Sequence, residues 1–170
     1  LFPIAMKPPH ILLLNKNVVQ LKQQLAGILS TKSAQAFDAT VRKNVIQLFK
    51  LGEQHYMFAR GISASHWRQV VSRSYYAAYN VSRAIRLAVA GNYSQEAKDH
   101  EKVGELPDDF PDKSTYANKL RLLRDDRNLC DYDHTVVQAD LGSTSADTLQ
   151  LVERFIDHGK RYLNARKTRV

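Results

Sequence analysis

Hydrophobic positions recur at helical spacing along almost the whole chain, and no stretch shows the strict alternation of a half-buried strand. Val18, Leu21, Leu25 and Ile28 follow one another at gaps of 3, 4 and 3 residues, with Asn15 or Asn17 placed to cap a first helix. Ser30, Thr31, Lys32 and Ser33 break the pattern. A second helix is expected over about residues 34–60, with Phe37, Val41, Val45, Leu48 and Phe58 on one side and Gly61 as its stop. Ser63 or Ser65 starts a third, which carries Trp67, Val70, Val71, Ser74, Tyr75, Ala78, Val81, Ile85 and Ala88 and ends at Gly91 and Asn92. Its small residues, Ser74, Ala77, Ala78, Ser82 and Ala84, let neighbours approach closely, so it reads as the central helix of a bundle. Residues 92–112 are polar and charged, with Pro107 and Pro111 near their end, and read as a loop or lid with at most a short helix around residues 96–103. A fourth helix is expected over about residues 113–134, its polar face, with Lys119, Arg121 and Asp126, turned to solvent. Thr144 and Asp147 have the spacing of a capping box and open a last helix with Leu149, Val152, Ile156 and Leu163. The expected fold is all-α, an up-and-down bundle of about five helices.

Composition narrows this picture. At 170 residues, 44% hydrophobic and 25% charged, the chain has the length and balance of one domain with a substantial core. Residues 1–15, with Pro3, Pro8 and Pro9, read as a partly disordered N-terminal extension containing Met6 as a candidate natural start, and residues 16–170 as a single helical domain. The lone cysteine, Cys130, excludes an intrachain disulfide and fits a reducing cytoplasm. No apolar run approaches the ~18 residues of a membrane span. Neither a glycine-rich phosphate loop nor a metal-ligand spacing among the six histidines is present, so no metal and no cofactor are expected. A net charge of +8 and a pI near 9.6 favour a polyanionic partner, nucleic acid first.

Chemistry concentrates in residues 116–134. Tyr116, Leu120, Leu123, Arg127, Cys130 and His134 succeed one another at gaps of 4, 3, 4, 3 and 4, one face of a helix. An arginine on an apolar seam costs several kcal/mol unless it is paired or opens onto water or a ligand. One explanation is an ion pair with Asp131, one turn on, flanked by Asn128 and Tyr132. The other is that Arg127 and His134, about 10.5 Å apart along a helix, jointly handle a phosphate. Tyr75 and Tyr79 share a helical face and read as core, whereas Tyr76 is a candidate base-stacking ring. The basic C-terminal end, from Lys160 to Arg169, reads as a solvated helix end.

The segment from Arg127 through Asp131, Tyr132 and Asp133 to His134 resembles the signature of the HEPN superfamily, an arginine and polar residue followed by a histidine. Upstream, Ser74, Tyr75, Tyr76, Ala77, Ala78, Tyr79, Asn80 and the following Arg83 and Ala84 resemble that family's SxYYAAFHAARA helix. The likeness spans about residues 67–162; Cys130 stands in place of the family's usual alanine, and six residues separate Arg127 from His134, the long end of the family range. It implies a HEPN-like fold, a homodimer with the two motif helices facing each other, and often a nucleotidyltransferase partner acting as antitoxin. It also implies a metal-independent endoribonuclease in which the RNA 2′-hydroxyl attacks phosphorus. There His134 would transfer the proton and Arg127 stabilise the phosphorane, supported by Asn128, Asp131 and Tyr132. Arg121, Arg124 and Tyr76 are the candidate RNA contacts. The alternative expectation is a catalytically inert HEPN-like binding module that pairs with a nucleotidyltransferase or binds nucleotide; a generic helical adaptor is a third.

Overall fold

The computed structural model describes residues 16–168 and 170, so the expectations for residues 1–15, including Asn15 as a cap and Met6 as a start, lie outside the described residues. It is all-helical, with no strand among those residues. Five α-helices follow in order: α1 (Val18–Gln24), α2 (Thr31–Arg60), α3 (Trp67–Ala90), α4 (Lys113–Tyr132) and α5 (Ser145–Ala165). Single 3₁₀ turns lie at Ala64–His66, Ala97–Lys102 and Gln138–Asp140. Among the described residues no helix is long and apolar enough to cross a membrane.

α3 is the centre of the bundle, packed against α2, α4 and α5. Its small residues allow this: Ala77, Ala78, Ser82 and Ala84 are fully buried, and Gly52 of α2 lies so close that a Cβ there would meet Val81 Cγ2 at 2.7 Å. Phe49, Tyr75, Ile85, Leu87, Leu120, Phe155 and Leu163 form the largest fully buried side chains. Burying each of the aliphatic and phenylalanine members contributes about 1.5–3 kcal/mol. Tyr75 and Tyr79 are core residues, 0% and 6% exposed, as their helical spacing predicts.

Caps set most of the boundaries. Asn17, Ser30 and Thr144 accept backbone N–H groups at the starts of α1, α2 and α5. Gly91, at φ 71, ends α3 in the left-handed conformation that a side chain would strain. Around it the chain ends of α1 and α3 are stitched together. Val18 N–H donates to Gly91 O at 2.7 Å, Tyr93 N–H donates to Lys16 O at 3.0 Å, and Asn17 and Asn92 form an isolated bridge.

Four local expectations are corrected. α1 stops at Gln24 and the chain turns through Gly27, leaving Ile28 80% exposed. On α2 the buried stripe runs through Phe49, Gly52 and Tyr56, and Phe58 is 60% exposed. Asp126 belongs to the buried side of α4, 2% exposed, because its Oδ1 accepts the Gly142 N–H at 2.9 Å where the following loop docks. Finally, α4 ends at Tyr132, two residues before His134.

Candidate functional site

The stripe on α4 is real as far as Cys130: Tyr116, Leu120, Leu123 and Cys130 are all buried, and Arg127 sits among them with its side chain 13% exposed. Its guanidinium is held from three directions. Nε lies 2.7 Å from Asp131 Oδ2, Nη1 donates to Asn128 Oδ1 at 3.1 Å, and Nη2 donates to the Tyr76 hydroxyl at 2.5 Å. The rings of Tyr76, Tyr132 and Tyr75 surround it at 5.2, 5.4 and 5.6 Å from the guanidinium carbon, close enough for cation–π attraction. The intrahelical ion pair thus exists, and it orients the arginine. Each terminal nitrogen keeps one hydrogen that no described residue takes.

Arg127 borders a cleft of about 590 Å³ lined also by Tyr75, Ala97, His100, Glu101, Arg124, Asn128 and Tyr132. Arg124 reaches it while pairing with Asp125, its Nε and Nη2 at 3.0 and 2.9 Å from Oδ1. Tyr132 stands at the rim, 75% exposed. On the far side of Arg127, a smaller pocket of about 340 Å³ is bordered by Arg68, Arg73, Tyr76, Cys130 and Asp131. Tyr76 therefore supports Arg127 from beneath and lines this second pocket.

His100 enters the cleft because the 3₁₀ segment that carries it is pinned to the core. Asp99, 4% exposed, accepts both terminal nitrogens of Arg86 at 2.9 and 2.8 Å and the Tyr79 hydroxyl at 3.0 Å. Burial alone would raise the Asp99 pKa, but these donors and the Arg86 charge outweigh it and hold the carboxyl below its usual range. The next residue, His100, then stacks on Tyr79 at 4.1 Å and 14° and meets the Tyr75 hydroxyl with Nδ1 at 2.7 Å. Burial, then the nearby Arg127 charge, lower its pKa below that of an ordinary histidine.

The structure does not bring all the sequence candidates together. Arg124, Arg127, Asn128 and Tyr132 share the cleft, and Asp131 braces Arg127 from behind. Arg121 is exposed outside it, its Nη1 donating to Asn118 at 3.4 Å. His134 is exposed and absent from the cleft wall, so the helical 10.5 Å relation to Arg127 does not hold. The cause is Arg68 of α3. Its Nη1 donates to the carbonyls of Cys130 and Asp133 at 3.1 and 2.6 Å, and its Nη2 to Val136 and, more weakly, His134 at 2.6 and 3.4 Å. A guanidinium that claims the end carbonyls draws the backbone off the helical path, and Asp133 is already extended at φ −101, ψ 110.

Sequence reasoning missed His100. A signal existed in Arg86, a charge set between Ile85 and Leu87 on the central helix, which demands a buried acid from elsewhere in the chain. Among the described residues no group of three or more His, Cys, Asp or Glu is placed to hold a metal ion. No protein-family model, curated protein or solved structure matches the chain.

Proposed function

We propose that this chain is an RNA-binding helical domain of HEPN type, which takes the RNA backbone in the Arg124–Arg127 cleft. The carrying observation is Arg127 itself, fixed by Asp131 and Tyr76 yet keeping an open hydrogen on each terminal nitrogen at the edge of that cleft. Such a fork suits two oxygens of one phosphate, and its orientation is settled before the ligand arrives. Arg124 adds a second cation, the exposed Tyr132 ring offers a stacking face for an unpaired base, and the +8 net charge supplies attraction at a distance.

This reading favours the binding module over the nuclease, because the proton-transfer residue expected for cutting is exposed and absent from the cleft wall. One observation keeps the endoribonuclease as the second reading: His134 follows Tyr132, a cleft-wall residue, by two positions, a reach of about 7 Å of chain. A dimer partner or RNA that draws this segment inward would place the imidazole beside Arg127. The homodimer and the nucleotidyltransferase partner implied by the family resemblance belong to the same proposal.

The test is fluorescence anisotropy with a labelled single-stranded RNA at about 50 and about 200 mM salt. Arg124→Ala is expected to weaken binding about tenfold and to reduce the log-log salt slope by about one, and Arg127→Lys, which keeps the charge and loses the fork, to weaken binding about tenfold with the slope unchanged. Wild-type affinity in the double variant would sink the proposal. The same samples, held in EDTA and read for 2′,3′-cyclic phosphate ends, decide the second reading: cuts lost in His134→Ala establish it, and intact RNA removes it.

A further inference from the structure

The binding reading leaves unused the one imidazole on the cleft wall, His100. Its surroundings decide which nitrogen carries the proton. Tyr75 is fully buried, and burial raises its pKa, so the phenol keeps its hydrogen across the whole useful pH range. A buried hydroxyl hydrogen needs an acceptor. Among the described residues Nδ1 of His100, at 2.7 Å, is the hydroxyl's partner and no second one stands within reach. In the neutral ring, therefore, Tyr75 donates to Nδ1 and the ring's own hydrogen sits on Nε2. Nε2 has no partner among the described residues, and the ring is held flat against Tyr79 on the cleft wall.

Adding a second proton to this ring is unfavourable for a geometric reason. Nδ1 would become a donor, and the Tyr75 hydrogen would lose its acceptor in a buried place. The groups facing the ring push the same way on balance. Arg127 and Arg124 approach from α4 and Arg83 from α3, against Asp99 and Glu101 on the ring's own turn, and Asp99 is already bound to Arg86. His100 is held as a neutral donor.

We propose that His100 is a phosphate-binding residue of this cleft, its Nε2–H given to an anionic oxygen of the RNA backbone beside Arg127, with Tyr75 as the positioning residue that locks the tautomer. The inference rests on the RNA reading of the cleft. It also gives that reading a chemical reason for holding RNA intact: with its hydrogen on Nε2, His100 has no lone pair facing the cleft to remove a proton from a 2′-hydroxyl.

Two measurements test this. Long-range ¹⁵N–¹H correlation on histidine-labelled free protein at about pH 7.5 reads the tautomer directly. Wild type is expected to show Nε2–H at His100 and Tyr75→Phe a mixture; an Nδ1–H ring in wild type overturns the proposal without any RNA present. RNA anisotropy then reads the contact. His100→Ala is expected to bind about tenfold more weakly, the loss of one hydrogen bond to a charged oxygen, while His100→Gln, whose amide N–H reaches nearly the same point, recovers most of it. Wild-type affinity should be level between about pH 8 and 7 and rise below about 6.5 as the ring takes charge, and His100→Gln should lack that rise. If Arg124→Ala weakens binding while His100→Ala does not, this proposal falls and the RNA reading stands. If Arg124→Ala and Arg127→Lys both bind like wild type, the RNA reading falls and the role of His100 with it.

Discussion

Arg68 shows how one side chain decides what a neighbouring motif can do. Its guanidinium collects carbonyls from four residues between Cys130 and Val136, which is why α4 stops where it does and why His134 is outside the cleft. Arg68→Met keeps the stem and removes the donors; we expect a loss of about 2 kcal/mol and faster amide exchange at residues 133–136, measured by urea unfolding and hydrogen exchange. Unchanged exchange there would separate the segment's path from Arg68. Asp126 is the second informative residue. Burial raises its pKa, partly offset by the backbone N–H groups of Gly142 and Ser143. A carboxyl whose folded pKa exceeds the unfolded value is penalised once it ionises, so the penalty is present at neutral pH and fades as pH falls through the raised pKa. Asp126→Asn keeps an acceptor for Gly142 without the charge and is expected to leave stability at pH 7 level or higher. Asp126→Ala strands the Gly142 N–H and should cost about 1–3 kcal/mol by the same unfolding assay. Arg127, with its Asp131 partner, was legible in the sequence because both lie on one helix, four residues apart. Arg68 was not, since its targets lie 62 to 68 residues away.

At the scale of elements the same contrast holds. Helix existence was readable from spacing, and the small-residue face of α3 pointed correctly to a central helix with close neighbours. Gly52 marks the closest approach. In Gly52→Ala the new Cβ would meet Val81 Cγ2 at 2.7 Å and the Ala77 carbonyl oxygen at 2.8 Å, and the carbonyl is backbone that cannot rotate aside. The usual helix-propensity gain of alanine over glycine, about 1 kcal/mol, is expected to be overturned by a packing loss of about 1–3 kcal/mol. A thermal melt above wild type would mean that α2 and α3 separate easily. Helix ends were less readable, because they depend on partners far along the chain. The 3₁₀ turn Ala97–Lys102 owes its place to Arg86 and Tyr79, and nothing in its own residues announces that His100 will meet Tyr75. The candidate site was accordingly half visible: its α4 wall came from periodicity, while its opposite wall came from a loop anchored by a buried charge.

For the molecule as a whole, pH should act through two half-buried histidines. His55 and His100 both have pKa values lowered, by burial first and then by Arg73 and Arg127 respectively. The unfolded chain binds protons at these rings more readily than the folded one, so stability without ligand is expected to be level above about pH 7 and to decline as pH falls below about 6.5. Melting temperatures across that range check the sign, and His55→Gln with His100→Gln should flatten the decline. Tertiary ties also have an order in time. α1 has 7 residues, too few to persist as a helix alone, and its first residue, Val18, and the preceding Lys16 are joined to Gly91 and Tyr93 through backbone hydrogen bonds. During synthesis at about 5–20 residues per second, this segment leaves the ribosome several seconds before its anchor has been made. The first described helix therefore cannot lock until the end of α3 has been made, so its seven residues wait on chain that follows them.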